Sequence, residues 1–190
     1  MNIKFYDENA DNFFDDTAHI DMSDLHGKFC LLLPDKGKVL DLGCGSGRDV
    51  KAFIERGYDV TGLDGSFKLV QRAREFTKVE IIHDDFENLS FKNQFDGIWA
   101  CASLLHVERK KIPQMLNLIK KALKKDGALY MSFKEGNGDR AKNKRTFTDM
   151  TIELLEPIIS NSGMVLVDAW TTEDIRPNKK ESWLNVFVRK

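Results

Sequence analysis

Cysteine is scarce in this chain of 190 residues: Cys30, Cys44 and Cys101 are an odd count, and no two share a C-x-x-C spacing. That pattern argues against a disulfide framework and a cysteine-rich zinc site. No apolar run approaches the roughly 18–20 residues needed to cross a bilayer. The N-terminus has no basic segment followed by an apolar stretch, so it does not read as a signal peptide. A soluble, cytoplasmic chain with no membrane partner is expected. Net charge is nearly absent as well, with 29 Lys and Arg against 30 Asp and Glu. A general binder of phosphate backbones needs a surplus of positive charge, so no nucleic-acid partner is expected. Proline is rare, at four residues, and never paired.

Against these absences stand 42% apolar residues, enough for a packed core, and charge that is unevenly placed. Phe5 to His26 holds seven acids and no Lys or Arg, while bases gather in 109–125 and 134–145. Leu25, Phe29 and Leu32 are spaced for a helix running up to Pro34. Strands are expected at 39–42, 59–63, 79–82, 95–100 and 128–133, with helices at 48–56, 66–76 and 110–123 between them. Pro113 falls in the first turn of the last helix, where proline is tolerated. Alternating strands and helices with short connections imply a parallel sheet covered on both faces. After a helix at 151–161 come strands at 165–172 and 183–189 with no helix between them, which should pair antiparallel at one edge. Gly136-Asn137-Gly138-Asp139 reads as loop, in a long connection across the top of the sheet.

Chemistry concentrates in Val39-Leu40-Asp41-Leu42-Gly43-Cys44-Gly45-Ser46-Gly47, a strand running through three glycines into a helix. Glycines let the backbone turn sharply and approach a ligand, and the helix N-terminus offers unpaired N–H groups. This is a nucleotide-type site at the switch point of a doubly wound sheet. The spacing is G-x-G-x-G, with Arg48 where a dinucleotide fingerprint places its last glycine. Such a loop suits a cofactor without a pyrophosphate. Asp64 closes the second strand and can accept hydrogen bonds from both hydroxyls of a ribose; a helix cap or loop acid is the competing reading.

The succession VLDLGCGSGRD, VTGLDGS, HDDFENL, FDGIWACASLLHV and LKKDGALYMSFKEG resembles the class I S-adenosylmethionine-dependent methyltransferases. Small bacterial enzymes acting on small molecules, tellurite-resistance-like methyltransferases among them, are the most similar type. The resemblance implies an α/β Rossmann-like fold: a mostly parallel seven-stranded sheet with an antiparallel C-terminal strand and helices on both faces. One domain would span 1–190, with a helical lid at 1–33, a cofactor-binding core at 38–133, and a substrate-side connection, helix and β-hairpin at 134–190. It implies S-adenosylmethionine as cofactor and S-adenosylhomocysteine as product. Asp41 and the backbone of Gly43, Cys44, Gly45 and Gly47 would face the amino-acid part, and Asp64, Gly65 and Ser66 the ribose. Asp85 would meet the adenine amino group, with Asp84 as the alternative, and Phe86 the ring. Ala100 and Cys101 would lie near the sulfonium. Cys44 reads as packing rather than as a nucleophile.

A base is needed only if the methyl acceptor arrives protonated. His106, after the fourth strand, is the candidate because its ordinary pKa is near neutrality; a structural histidine is the competing reading. The chain lacks the Pro-Pro-aromatic stretch that accompanies amino methylation of bases, which lowers DNA and protein-glutamine substrates. No carboxylate cluster marks a metal site, and no metal is expected. Tyr6, Lys134, Arg145, Arg176 and Trp183 are candidates for the substrate side, the cations forming a rim for an anionic acceptor. A small-molecule acceptor and a monomer or homodimer are expected. A catalytically idle cofactor-binding module or partner subunit is the alternative, and a nicotinamide oxidoreductase fits the short loop poorly.

Overall fold

The computed structural model describes residues 2–142, 145–175 and 180–190. Five parallel strands form its centre: β1 (Lys38–Leu42), β2 (Asp59–Asp64), β3 (Ile81–His83), β4 (Phe95–Ala100) and β5 (Leu123–Lys134). Two more strands, β8 (Val165–Glu173) and β9 (Ser182–Arg189), complete one seven-stranded sheet in the order β3-β2-β1-β4-β5-β9-β8. β9 runs antiparallel to both neighbours, as the expected C-terminal pairing requires. The order reverses at β1, so the crevice above the carboxyl ends of β1 and β4 is the switch point where such sheets bind ligands.

Side chains alternate across the central strands with period two, and each face is sealed by different helices. Ile98 and Ala100 of β4 and Leu129, Met131 and Phe133 of β5 pack under α6 (Ile112–Ala122) and α7 (Ile152–Asn161). Trp99 and Tyr130 face the other way and stack at 4.0 Å between centroids, with Phe29 of α3 (Ser23–Cys30) and Phe53 of α4 (Arg48–Glu55) beside them. Helix α3 sits close to the sheet because β4 carries Gly97 there. A Cβ at that position would lie 2.8 Å from both Leu33 and Phe29 side-chain atoms. Helix α5 (Phe67–Thr77) follows β2.

Four features differ from the sequence expectation, the first being that β5 begins at Leu123, where the preceding helix was expected to end, and not at 128. The N-terminal segment is three helices, with α1 (Ile3–Glu8) and α2 (Ala10–Thr17) preceding α3. The third strand begins two residues later than expected, where the Arg74 side chain holds the Ile81 carbonyl from α5. The long connection after β5 is not merely loop: β6 (Asp139–Lys142) and β7 (Arg145–Thr148) pair antiparallel as a separate two-stranded sheet. Among the described residues no helix is long and apolar enough to cross a membrane, and no cluster of three metal-ligating side chains occurs.

Candidate functional site

Chain geometry at the end of β1 opens the site. Gly43 has φ +83°, and a Cβ there would lie 2.5 Å from the Ser103 Cβ and 2.8 Å from the Phe86 ring. Glycine is thus demanded twice at this position, by backbone conformation and by space. Gly45 faces the Phe13 ring of α2. Gly47 serves differently from its expected role. It caps α4 in the left-handed conformation, and its Cα faces Ala73 and Thr77 of α5 rather than the crevice.

A cavity of about 610 Å³ extends from this loop across the tops of β4, β5 and β9. Gly43, Cys44, Gly45, Asp64, Gly65 and Ser66 line one end of it, joined by Asp85, Phe86 and Cys101. Asp64 is held rigidly: its Oδ2 accepts from the Gly45 N–H and its Oδ1 from the Ser66 N–H, each at 2.8 Å. Burial raises its pKa. Of the two adjacent acids, Asp85 reaches the cavity wall, while Asp84 accepts from Asn88 Nδ2 at 2.7 Å and is not on the wall. Two expected residues lie off the wall. Asp41 is buried in β1 with Oδ2 unpartnered, and burial and the nearby Asp49 charge raise its pKa well above the usual range. Ala100 is fully buried at the end of β4, facing α6 rather than the cavity. Burial also pushes the Cys44 thiol well up and the Cys101 thiol to about 12, so neither is poised as a thiolate.

Behind the loop lies a buried polar cluster that the motif reading did not single out. Asp49 accepts from His26 Nε2 at 2.9 Å, Trp99 Nε1 at 2.8 Å, and the Nε and Nη2 of Arg48 at 2.7 and 2.8 Å. Burial favours its neutral form, but the Arg48 charge and the hydrogen bonds outweigh it and hold the carboxyl well below the usual range. The Arg48 fork is thereby fixed on the cavity wall beside Cys101. The only sequence signal was the charged pair directly after the glycine loop.

At the other end the structure gathers Tyr6, His106, Lys134, Arg145 and Trp183 on one wall. Arg176 lies outside the described residues. Both His106 ring nitrogens are engaged: Nε2 stands 2.6 Å from the Tyr6 hydroxyl, and Nδ1 2.8 Å from Asn2 Nδ2 and 3.1 Å from the Thr146 carbonyl. The near-neutral pKa expected for this ring does not hold. Burial lowers it to about 4, and the charges of Arg145 and Lys134 act in the same direction. Lys134 is bonded to Glu181 and sits over the rings of Phe147 and Trp183 at 5.0 and 5.7 Å. Asn185 and Tyr130 form a buried hydrogen-bonded pair on the cavity floor, 2.8 Å apart.

This sheet order and loop have matches among known proteins. Residues 39–127 match the methyltransferase-domain family. Over that stretch, just under half of its length, the chain is similar to methyltransferase domains. It is similar to the cypemycin N-terminal methyltransferase of a Streptomyces species, 30% identical over 55% of this chain and 47% of that protein. It is also 30% identical to the ubiquinone biosynthesis O-methyltransferase of Salmonella paratyphi A, over 53% of this chain and 44% of the relative. The chain thus spans less than half the length of these two curated relatives. Among solved structures, the Burkholderia thailandensis 1,6-didemethyltoxoflavin-N1-methyltransferase superposes with a TM-score of 0.80 at 25% identity. That match covers 99% of this chain and 84% of the other, and the neighbour holds 1,6-didemethyltoxoflavin and S-adenosylhomocysteine.

Proposed function

We propose that this protein transfers a methyl group from S-adenosylmethionine to a small-molecule acceptor. One observation carries the reading. Asp64 stands on the cavity wall, locked by two backbone N–H groups, next to a glycine loop that has no room for side chains under Phe86. A carboxylate has about four acceptor positions, so the two in use leave capacity for a ribose diol. Ser103 Oγ, buried on the same wall without a hydrogen-bond partner, offers a further polar group to a ligand. Asp85 and Phe86 on the same wall support an adenine pocket, and the loop lacks the longer cradle of a pyrophosphate. The named residues therefore fit this cofactor.

Bound there, S-adenosylmethionine supplies an electrophilic methyl group on a positively charged sulfur. The chain's own contribution is alignment and exclusion of water. Helices α1 and α2 close one side of the cavity. Asp7 accepts from Ser66 Oγ at 2.7 Å, Phe13 lies against Gly45, and Thr17 Oγ1 donates to Ser46 at 3.1 Å. A protonated acceptor would give up its proton to the His106–Tyr6 pair. With a pKa near 4, His106 is neutral at pH 7 and a weak base, matched to an acceptor whose own N–H or O–H is acidic.

Asn2, Tyr6 and the rings of Phe147 and Trp183 leave a compact space beside the cofactor end, which supports a small acceptor over a macromolecule. The test is incubation with methyl-labelled S-adenosylmethionine and a cell extract separated by molecular size. Label is expected in the low-mass fraction, and label confined to RNA or protein would overturn the small-acceptor reading.

A further inference from the structure

Among the described residues, the cations around the cavity have partners or water, with one exception. Arg48 forks onto Asp49, Arg140 pairs with Asp149, and Lys134 pairs with Glu181, to which Lys142 comes within 4.0 Å. Lys28 is solvent-exposed. Arg145 is only partly exposed, has no acid within ion-pair distance among the described residues, and finds no hydrogen-bond acceptor there for its guanidinium. Its Nε is shut off from solvent and has no partner among the described residues.

An uncompensated guanidinium partly withdrawn from water is costly, and no packing contact of Arg145 with the described residues requires its charge. What the surroundings do supply is orientation. The group lies 4.3 Å from the Phe5 ring centre, 5.1 Å from Phe147 and 5.9 Å from Tyr6. Those faces stabilise the cation and restrict its plane while leaving the N–H edge without a partner. A guanidinium held among ring faces with unused donors is pre-organised for a planar oxyanion, which it binds through two parallel N–H···O bonds.

We propose that Arg145 is the anchor for a carboxylate on the methyl acceptor, a deepening that rests on the methyl-transfer reading above. The acceptor is then a small carboxylic acid whose reacting N–H or O–H lies by the Tyr6 hydroxyl while its carboxylate engages Arg145. Two features select this chemistry. Glu181 shares the wall with Lys134 and would repel a phosphate dianion more than a monoanion. Arg48, not Arg145, lies beside the glycine loop, so the amino-acid end of the cofactor has its own cation nearby.

The experiment uses the full chain saturated with S-adenosylhomocysteine, observed through arginine Nε–H resonances. The Arg145 signal is assigned by its disappearance in Arg145→Lys. Titration with benzoate should move that signal, while the neutral isostere benzamide should leave it in place. Arg145→Gln should weaken benzoate binding about ten- to a hundredfold, and Arg145→Lys, which keeps the charge but loses the fork, should fall between. Binding of S-adenosylhomocysteine should be unchanged in both variants, which also reports that they are folded. Equal binding of benzamide, tighter binding of phenylphosphate than benzoate, or undiminished benzoate binding by Arg145→Gln would each overturn the proposal. So would a matching loss of S-adenosylhomocysteine affinity in that variant, because it would assign Arg145 to the cofactor. Failure of the wild-type protein to bind S-adenosylhomocysteine is a separate result, and it would remove the methyl-transfer reading itself.

Discussion

His106 illustrates how a residue's surroundings rewrite its chemistry. In sequence it is a histidine with an ordinary pKa after a central strand; in the fold it is a partly buried neutral ring with both nitrogens in use. Its lowered pKa has a consequence for stability. Between about 6.5, the unfolded value, and about 4, the folded value, the unfolded chain binds more protons at this site than the folded one. Its contribution is therefore intact above pH 6.5 and is lost as pH falls toward 4, by up to about 3 kcal/mol. Denaturant unfolding of the wild type and His106→Gln at pH 7 and pH 4.5 measures this directly. The stability gap between them should shift in the variant's favour at the lower pH, and a gap independent of pH would contradict the assignment.

Other residues resolve the same way, through geometry rather than type. Asp84 and Asp85 are indistinguishable as neighbours in sequence, yet the Asn88 amide engages the first and leaves the second on the cavity wall. Gly43 and Gly47 read alike in a G-x-G-x-G run, but one gives way to Ser103 and Phe86 and the other to helix α5.

Among the elements, legibility followed the strength of local pattern. Strands β1, β2, β4 and β5 announce themselves by apolar runs ending in glycine or turn residues, and α6 by its apolar face over Ile112, Met115, Leu116 and Ile119. The β6–β7 hairpin had no such signal. All four residues of β6 are exposed, so burial imposes no alternation on them. The break between α1 and α2 at Asn9 is also weakly marked, since the Asn9 side chain does not cap α2 but donates back to the Phe5 carbonyl of α1 at 2.8 Å.

What fastens the hairpin lies far away in sequence. Asn2 Nδ2 donates to the Thr146 carbonyl at 2.8 Å and Asn2 Oδ1 accepts from the Thr146 N–H at 2.9 Å, so one side chain pairs with β7 as a strand would. This links α1 to the hairpin that carries Arg145. Asn2→Ala should raise the exchange rate of the Thr146 amide about tenfold, with amides of β1 and β4 unaffected. Unchanged exchange at Thr146 would show that the hairpin stands without its tie to α1.

For the whole molecule, distribution of charge proves more informative than its total. The acidic N-terminal stretch and the basic connection after β5 do reach one cavity, where Asp21 and Asp24 line one side and Lys142 and Arg145 another. The parallel core and its antiparallel C-terminal edge were legible because strands and helices alternate up to β5 and no helix separates the last two strands. The far end of the cavity was less so, because Asn2, Tyr6, Arg145 and Trp183 meet only through the assembled fold and share no motif.

All of this rests on the cavity being a site for an adenosyl ligand held by Asp64. Calorimetric titration of the protein with S-adenosylhomocysteine, alongside Asp64→Ala, tests that claim most directly. Binding of one ligand per chain is expected, weakened at least about tenfold in the variant with its circular dichroism spectrum retained. No binding to the wild type, or equal binding by Asp64→Ala, would contradict it.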